Sequence, residues 1–318
     1  MNKLIVLTGP TAVGKSRLSI RLAKEISAEI ISADSMQVYK SMDIGTDKIS
    51  AADRGEVRHH LIDILEPTDS FDVVLFQKYS QKALDEIYRN KHIPLIVGGT
   101  GFYIQSVLYD IDFSETDADK SARYAYEKEF EEGGERAAFL LHKKLRRIDE
   151  ESADIIPVNN VKRVIRALEF FEKTGRRISE HNKEQRNKTS PYDYIYMVLT
   201  DEREFLYKRI GERIDEMIKK GLVDEVKALK AKGVSADMTS MQGIGYREIL
   251  SYLDGVYDLD EAVYLIKRNT RHFAKRQLTW LKREKNVIWI DKSVYDRDED
   301  KIFEVIKNKS LELINKKA

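Results

Sequence analysis

The segment Gly9–Ser16, with the sequence GPTAVGKS, constrains the fold of this chain more than any other segment. It follows an apolar run, Lys3–Thr8, that predicts a β-strand, and it overlaps the start of helical spacing at about Lys15–Ile26. A strand, a G-x-x-x-x-G-K-[ST] loop and a helix in this order are the context of a phosphate-binding P-loop. A tight glycine turn that binds nothing is the alternative, and the flanking elements favour the P-loop.

The residues of this loop are candidate ligands of a di- or triphosphate. Glycines let backbone N–H groups converge on phosphate oxygens, and the helix N-terminus adds partial positive charge. Lys15 supplies a cation and Ser16 a hydroxyl for Mg²⁺, and the other positions are Gly9, Pro10, Thr11, Ala12, Val13 and Gly14. The loop does not select the reaction, because kinases, NTPases and transferases with a diphosphate leaving group can all use it.

The remaining hydrophobic pattern predicts an α/β fold, a P-loop NTPase-like parallel sheet flanked by helices, with a helical insertion domain. Strands are expected at Glu29–Ser32, Leu61–Leu65, Ile93–Val97, Tyr192–Leu199 and Asn286–Ile290. Helices are expected at Phe71–Arg89, from Phe102, at Glu202–Lys219, Leu222–Lys232 and Asp260–Glu284, and at the C-terminus. Residues 113–190 carry only helical periodicity, opened by the polar Ser114 and Thr116, so we expect the insertion there. The core then comprises residues 1–112 and 191–318.

The composition is typical of a globular protein and excludes some kinds of site. Hydrophobic residues make up 42% and charged residues 34% of the 318 residues. The chain has no cysteine, which excludes a disulfide framework, a thiol nucleophile and a cysteine-ligated zinc. No apolar run approaches the roughly 18 residues of a membrane span, and the first one is too short for a signal peptide. We expect a monomer in the cytoplasm.

An aspartate, Asp34, lies where the second strand is expected to end. Open α/β sheets bind ligands beyond the carboxyl ends of their strands, so this carboxylate is expected in the same crevice as the P-loop. There it can hold Mg²⁺ or act as a general base, and a turn or N-cap acid is the alternative. The cluster Gly98–Gly101 also follows a strand, but a structural βα turn explains it equally well. We interpret at least one of His59 and His60 as a packing or hydrogen-bonding residue, because neighbours on a strand point apart.

A late segment, Lys267–Glu284, is strongly basic although the net charge of the chain is only +1. Arg268, Arg271 and Lys275 have the spacing of one helical face. Arg276 and Arg283 continue on a neighbouring stripe, and the apolar anchors are Phe273, Leu278, Trp280 and Leu281. Basic residues beside aromatics suit a nucleic-acid backbone, and a solvated face is the alternative. A smaller cluster, Lys162, Arg163 and Arg166, means little alone.

Taken together, these segments resemble the tRNA dimethylallyltransferases, also called isopentenyl-tRNA transferases. The matching segments are GPTAVGKS, ISADSMQVYKSMDIGTDK, HHLIDIL, PLIVGGTGFYIQSVL, NNVKRVIRALE, MQGIGYREI and KRNTRHFAKRQLTWLKRE, in family order from Gly9 to about Glu284. The resemblance implies transfer of a dimethylallyl group from dimethylallyl diphosphate to N6 of adenine 37 in the tRNA anticodon loop, with release of diphosphate. It also implies that the P-loop binds the prenyl diphosphate rather than ATP.

The resemblance further implies roles for individual residues. Asp34 would be the base that takes a proton from N6, Thr11 would lie near the reacting groups, and Lys15 would neutralise the leaving diphosphate with Mg²⁺. Arg203 would contact the diphosphate, with Arg213 as the competing position. The residues implied to contact tRNA are Asp34, Ser35, Met36, Gln37, Thr100, Arg123, Asn159, Asn160, Lys162, Arg163, Gln242, Gly243, Arg247, Arg268, Arg271, Lys275 and Arg276. The C-terminal zinc finger of some eukaryotic relatives is missing, since there is no cysteine.

Three alternatives stay open from the sequence. A P-loop small-molecule or nucleotide kinase would need a Walker-B strand, for which only VLTDE at Val198–Glu202 is a weak candidate. A prenyltransferase of free adenine nucleotides would not need the basic helices. A non-enzymatic RNA-binding protein would leave the P-loop and Asp34 unexplained.

Overall fold

The structure, a computed structural model, describes residues 1–113 and 121–316. The predicted opening of the insertion at Ser114 and Thr116 lies outside the described residues. The chain forms two compact units, one made of Met1–Leu108 with Pro191–Ala318 and the other of Tyr109–Ser190. Among the described residues, no helix has the length and apolarity needed to cross a membrane.

The first unit is built on a sheet of six parallel strands, which confirms the predicted α/β fold. The strands are β1 (Asn2–Thr8), β2 (Ala28–Ala33), β3 (His59–His60), β4 (Ile93–Gly98), β5 (Tyr192–Thr200) and β6 (Val287–Asp291). Their order in the sheet is β3-β2-β4-β1-β5-β6. Leu4, Ile5, Val6 and Leu7 of the central strand β1 are fully buried, as expected for a parallel sheet covered on both faces.

Helices connect and cover these strands. In the first unit they are α1 (Lys15–Glu25), α2 (Ala51–Arg54), α3 (Val73–Arg89) and α4 (Gly101–Leu108). The second unit contributes α5 (Ser121–Ile148), α6 (Glu150–Ile155), α7 (Val161–Thr174) and α8 (Ile178–Arg186). The first unit then continues with α9 (Arg203–Lys219), α10 (Leu222–Ala231), α11 (Tyr246–Leu253), α12 (Leu259–Leu281) and α13 (Glu299–Asn315). Short 3₁₀ helices lie at Thr239–Gln242 and Lys292–Tyr295.

The predicted strand Leu61–Leu65 is wrong. The strand in this region is only His59–His60, which pairs with Ile30 and Ile31 of β2. Leu61 and Asp63 have positive φ angles of 63° and 57°, which turn the chain out of the sheet. Leu61 and Ile62 of this segment are instead buried in a loop.

A buried carboxylate holds the amino-terminal end of the sheet. Glu29 of β2 accepts hydrogen bonds from His60 Nε2 and His92 Nδ1, both over 2.7 Å, and from Asn90 Nδ2 over 3.2 Å. Burial raises the pKa of Glu29, but the hydrogen bonds from His92, His60 and Asn90 outweigh burial and lower this pKa to about 2. His60 is therefore a hydrogen-bonding residue, as predicted for one of the two histidines.

The second unit contains helices and no strand among its described residues. Its core packs α5 against α7 and includes Tyr126, Leu141, Leu145, Val164 and Leu168. The helix α5 bends at Gly134, whose φ of 55° and ψ of −134° are not helical, so a residue without a Cβ is needed there. Whether this unit contacts tRNA stays a prediction.

Candidate functional site

The register of the sheet brings three functional loops to one edge. Thr8 of β1 lies opposite Gly98 of β4, and Gly98 lies opposite Ala33 of β2. All three residues end their strands, and parallel strands end at the same edge of the sheet. The P-loop, the Asp34 loop and the loop that begins at Gly99 therefore leave the sheet side by side.

The P-loop has a strained backbone that closes around its own lysine. Gly9 has a φ of 149°, and a Cβ at this position would lie 2.3 Å from the carbonyl oxygen of Leu199, so only glycine fits. Lys15 Nζ donates hydrogen bonds to the carbonyl oxygens of Gly9 and Pro10 over 3.0 and 2.8 Å. The ammonium is thereby held inside the loop.

The surroundings of Lys15 weaken its charged form. Burial and the nearby Arg213 guanidinium lower its pKa to about 8, although the carboxylates of Asp34 and Asp47 act in the opposite direction. Two cations in a partly desolvated site repel each other, and a bound anion relieves this repulsion. The charges therefore favour an anionic ligand at the loop.

Three further cations lie at the loop, and two of them were missed in the sequence. Arg213 of α9 donates a hydrogen bond from Nη1 to Thr11 Oγ1 over 3.0 Å. Around Gly14, a Cβ would lie 3.4 Å from Lys292 Nζ and 3.5 Å from Arg209 Nη2. The spacing of Arg209 and Arg213, one helical turn apart, could have indicated a shared face. Lys292 directly follows β6, and a cation at the carboxyl end of a parallel strand could have indicated a place at the ligand site.

The diphosphate contact expected of Arg203 has no support in the geometry. Its guanidinium lies over the ring of Tyr207, 5.0 Å from the ring centre. It is the first residue of α9, more than two helical turns before Arg213. In the part of the chain that the structure describes, it is Arg213 of this helix that contacts Thr11.

Asp34 combines the turn role and the site role that the sequence left open. Its Oδ1 accepts the backbone N–H groups of Met36 over 2.9 Å and of Gln37 over 3.4 Å. Its Oδ2 accepts no hydrogen bond from the part of the chain that the structure describes. Asp34 also lines two adjoining cavities, so the free oxygen is available to a ligand.

The two cavities differ in size and lining. The larger has a volume of about 480 Å³ and an apolar wall of Ile210, Ile214, Met217, Ile266 and Phe273. The smaller, of about 90 Å³, is bordered by Lys15, Ser16, Asp47 and His59. Six residues line both: Thr11, Asp34, Thr46, Arg213, Phe273 and Gln277. Both linings mix polar and apolar groups, but the larger space has this apolar wall and the smaller lies against Lys15 and Ser16 of the P-loop.

The larger cavity gathers many of the residues that the resemblance implies for tRNA. Its lining includes Ser35, Met36, Thr100, Gln242, Gly243, Arg247 and Arg276. Gln37 lies behind this surface: its Oε1 accepts from Ser32 Oγ over 3.1 Å, and its Nε2 donates to the carbonyl oxygen of Thr46 over 3.2 Å. Gln37 lines the smaller cavity instead.

A carboxylate, Glu225 of α10, holds the loop that closes the larger cavity. It accepts the backbone N–H groups of Asp43, Ile44 and Gly45 over 2.8–3.1 Å and the hydroxyl of Tyr246 over 2.6 Å. A Cβ on Gly45 would lie 2.5 Å from the Tyr246 ring. The motifs DIGTDK and GIGY, about 200 residues apart in the sequence, therefore pack directly together.

The helix α12 presents a basic stripe to solvent. Arg268, Lys275 and Arg276 of the helix and Arg283, two residues after its end, are exposed. A groove of about 440 Å³ is lined by His272, Lys275, Arg276, Thr279, Trp280 and Arg283. Arg271, which was predicted to share a face with Arg268 and Lys275, differs from them in exposure, and its contact with tRNA stays a prediction. Arg271 is partly buried, and its guanidinium lies over the Tyr207 ring of α9, 6.0 Å from the ring centre.

The second unit carries its own basic cluster. Lys162 and Arg163 are exposed in the first turn of α7, and the N-cap residue Asn160 makes no side-chain capping hydrogen bond. Cations are unfavourable at a helix N-terminus, whose free N–H groups attract anions. Arg123 is exposed and pairs with Glu127 over 2.9 Å, and Asn159 is exposed beside the cluster.

Two sequence features have structural explanations. Asp201, the candidate Walker-B acid, accepts a hydrogen bond from Arg297 Nε over 3.2 Å, so an ion pair occupies this carboxylate. His59 Nδ1 is hydrogen-bonded to the carbonyl oxygen of Val57 over 2.8 Å, and His60 faces Glu29. The two histidines share no ligand, and the described residues hold no group of three His, Cys, Asp or Glu suited to a metal.

Comparison with known proteins gives a consistent match. A family model described as IPP transferase matches residues 37–284, and one described as isopentenyl transferase matches residues 2–64. A tRNA dimethylallyltransferase of Lachnoclostridium phytofermentans is 53% identical over 308 residues, which are 96% of this chain and 97% of that protein.

Solved structures match over similar lengths. The full-length tRNA isopentenylpyrophosphate transferase of Bacillus halodurans is 42% identical, covers 99% of both chains and has a TM-score of 0.73. A eukaryotic dimethylallyltransferase, solved acting on tRNA, is 30% identical and has a TM-score of 0.80. That match covers 92% of this chain and 74% of the eukaryotic one.

Proposed function

The chain belongs to the tRNA dimethylallyltransferase family, and we propose that it transfers a dimethylallyl group from dimethylallyl diphosphate to N6 of adenine 37 in tRNA. The observation that carries the proposal is the common border of the two cavities. Thr11, Asp34 and Arg213 line both the space with the apolar wall and the space at the P-loop. An allylic diphosphate needs such a border, because its ends differ in polarity.

The proposed reaction breaks one bond and forms one bond. The bond between C1 of the dimethylallyl group and the bridging oxygen breaks, and its electron pair leaves with diphosphate. Lys15 and Arg213, with Arg209 and Lys292 close to Gly14, supply positive charge where the leaving group becomes more negative. Preorganised charge of this kind is a large contribution to catalysis in a site that excludes water.

The adenine N6 supplies the new bond to C1 and must lose a proton. An exocyclic amine is a poor nucleophile, and a base within reach removes the proton as the C–N bond forms. Asp34 suits this role because Oδ1 is held by Met36 and Gln37, while Oδ2 accepts no hydrogen bond from the described residues. The turn fixes the carboxylate at the border of the two cavities and leaves the other oxygen for a proton.

The oxygen groups near the P-loop fit a divalent metal, and Mg²⁺ is the proposed ion. Ser16, Asp34 and Asp47 line the same smaller cavity. Mg²⁺ prefers oxygen ligands, and it commonly binds through one or two carboxylates together with substrate phosphates. When bound, it would supply further positive charge to the diphosphate, with Ser16 and Asp47 as the candidate ligands.

Nucleic-acid binding is proposed for the basic surfaces. The groove on α12 shares Arg276 and His272 with the larger cavity, which supports a continuous path from phosphate contacts to the reacting base. An adenine in an anticodon loop is single-stranded, so it can leave its stack at little cost.

We propose the cytoplasm, where tRNA lies, as the compartment of the protein. We also propose that the monomer is the active state, which analytical sedimentation would test.

The second unit is proposed to grip tRNA through Lys162, Arg163 and Arg123. The uncapped N-terminus of α7 supports this proposal, because its N–H groups and the adjacent cations suit a phosphate. Hydrogen exchange with and without tRNA should show protection within residues 121–190. Protection limited to α12 would contradict the role proposed for this unit.

One set of incubations tests the function. The protein is mixed with labelled dimethylallyl diphosphate and Mg²⁺, together with tRNA, with the same tRNA carrying guanine 37, or with AMP. Label in the adenine 37 tRNA alone is expected. Label in AMP would favour the prenyltransferase of free nucleotides, and phosphate transfer from ATP at enzymatic rates would favour a kinase.

A further inference from the structure

A glutamine on the basic helix connects two of the loops at the site. Thr11 of the P-loop donates its backbone N–H to Gln277 Oε1 over 2.9 Å. Gln277 Nε2 donates to the carbonyl oxygen of Gly99 over 3.0 Å. Gln277 is 7% exposed and lines both cavities. One amide therefore ties α12 to the P-loop and to the loop after β4.

The two partners fix the orientation of this amide. The Thr11 backbone group is only a donor and must face the oxygen, whereas the Gly99 carbonyl is only an acceptor and must face the nitrogen. A flipped amide would leave both hydrogen bonds unmade in a largely buried place, which is costly. The bridge is thus a specific connection, and a side chain without both groups cannot replace it.

The space between Gln277 and Gly99 explains a glycine of the GGTG motif. A Cβ on Gly99 would lie 2.1 Å from Gln277 Nε2 and 3.4 Å from the carbonyl oxygen of Gly9. The first distance is a clash and the second is ordinary contact. The φ angle of Gly99 is not positive, so the backbone conformation alone does not require glycine at this position. The close approach of Gln277 explains why the position lacks a Cβ.

We propose that Gln277 is a positioning residue that sets Thr11 for prenyl transfer. This inference rests on the proposed function, because Thr11 matters through its place between the two cavities. Gln277 holds the Thr11 backbone on one side, and Arg213 holds the hydroxyl on the other. Gln277 also removes the Thr11 N–H from the donors that the loop can offer to phosphate.

The neighbours of Gln277 add a second consequence. Arg276 precedes it and lines both the larger cavity and the basic groove, and Phe273, one turn earlier, lines both cavities. The turn of α12 that meets the tRNA path is therefore the same turn that fixes the P-loop. A shift of this turn would therefore move the P-loop contact of Gln277 and the tRNA-facing Arg276 together.

Removing the bridge should misalign the reacting groups without emptying either substrate site. We expect Gln277→Met, which keeps the side-chain length, to lower kcat by about 10–100-fold, since small displacements are costly in aligned reactions. The KM values for dimethylallyl diphosphate and for tRNA should change less than about threefold. The matched control is Gln77→Met: Gln77 Nε2 donates to the carbonyl oxygen of Ser106 over 2.9 Å, away from the site, and kcat should stay within about twofold.

A double-mutant cycle tests the same contact independently. Gly99→Ala should lower kcat as Gln277→Met does, because its new Cβ displaces Gln277 Nε2. In a Gln277→Ala background the clash partner is gone, so Gly99→Ala should add almost no further loss. This pair keeps the test decisive if Gln277→Met folds poorly, as judged by its thermal unfolding.

The outcomes separate the inference from the function. Unchanged kcat in Gln277→Met, or losses in the cycle that multiply, would overturn the positioning role while the wild-type protein still transfers the prenyl group. A raised KM for the donor with normal kcat would also overturn it, because Gln277 would then serve binding alone. A wild-type protein that transfers no prenyl group would instead refute the function.

Discussion

Arg213 meets the P-loop at Thr11, where its guanidinium Nη1 donates a hydrogen bond to the threonine hydroxyl over 3.0 Å. The same guanidinium lies 3.4 Å from the Asp47 carboxylate. Arg213 is thus held between an acid and the loop, at the border of the two cavities. This position distinguishes it from Arg203, ten residues earlier on the same helix, which lies over Tyr207.

The first prediction compares these two arginines. We expect Arg213→Ala to raise the KM for dimethylallyl diphosphate by about 10–100-fold, the worth of a hydrogen bond to a charged group. Arg203→Ala should change this KM by less than about threefold, since only its contact with Tyr207 is lost. Steady-state kinetics at saturating tRNA would measure both, and the reverse order would restore Arg203 as the diphosphate ligand.

Asp34→Asn should lower kcat by about 10²–10⁴-fold, with much smaller changes in the binding of either substrate. Asparagine keeps the acceptor for Met36 and Gln37, so the turn should survive, but the amide cannot take the proton from N6. Single-turnover rates with bound tRNA are the measurement.

A different result would assign Asp34 another role. Recovery of most of the lost rate at high Mg²⁺ or high tRNA would make it chiefly a ligand. Lowered thermal stability with a modest kinetic loss would make it chiefly structural.

Lys15 should take up a proton when diphosphate binds at alkaline pH. Its pKa is lowered to about 8 in the free protein, and the negative charge of a bound diphosphate favours the ammonium and raises this pKa. Affinity for diphosphate should therefore fall as the pH rises through 8. Calorimetry of inorganic diphosphate binding in two buffers of different ionisation enthalpy measures the proton uptake.

Two variants of Lys15 complete this experiment. Lys15→Arg stays charged at these pH values, so it should take up fewer protons than the wild type, and equal uptake would exclude Lys15 as the source. Lys15→Ala should lower the transfer rate by about 10²–10³-fold, the usual effect of losing one charge-stabilising donor.

The salt dependence of tRNA binding should report the basic stripe of α12. Replacing Arg268, Lys275 and Arg283 with alanine should weaken binding and lower the slope of log affinity against log salt by about two, because fewer counterions are released. Affinity for dimethylallyl diphosphate should barely change. The matched variant replaces the exposed Lys78, Lys82 and Lys91 with alanine, and an equal loss of slope in both would mean that only net charge matters.

Acid should weaken the sheet through Glu29. The pKa of Glu29 in the folded protein, about 2, lies below its ordinary value of 4.5, so its stabilising effect is present above about pH 4.5 and is lost as the pH falls towards 2. The effect amounts to roughly 2–3 kcal/mol. The unfolding temperature of Glu29→Gln should therefore lie well below that of the wild type at pH 7 and approach it only as the pH falls towards 2. Glu204→Gln, at an exposed position, should show no such change.

The sequence predicted the parts of this molecule that depend on neighbouring residues. The P-loop, the place of Asp34 at a strand end and most strands follow from local patterns, because strand periodicity and loop glycines act over a few residues. The failure at Leu61–Leu65 is also local in origin: an apolar run looks the same in a strand as in a buried loop, and positive φ angles at Leu61 and Asp63 leave no mark in the composition.

The missed residues depend on contacts between distant segments. Gln277 and Lys292 reach the P-loop from more than 260 positions away in the chain, and Glu225 meets its loop across about 180. Nothing beside these residues in the sequence indicates a partner. The helical spacing of α12 predicts which of its basic residues share a face, but only the position of α9 shows that the Arg271 guanidinium lies over the Tyr207 ring.

The order of strands in the sheet also determines when the central strand β1 can gain its second neighbour during synthesis. β1 lies between β4 and β5, and the second unit is made between them. At about 5–20 residues per second, a ribosome needs roughly 5–20 s to proceed from Gly98 to Tyr192. Throughout that interval the edge of β1 that will pair with β5, with its apolar Ile5, Val6 and Leu7, has no neighbouring strand. A nascent chain stopped before β5 therefore has the whole GPTAVGKS sequence, but the unpaired edge of β1 can bind chaperones or other nascent chains.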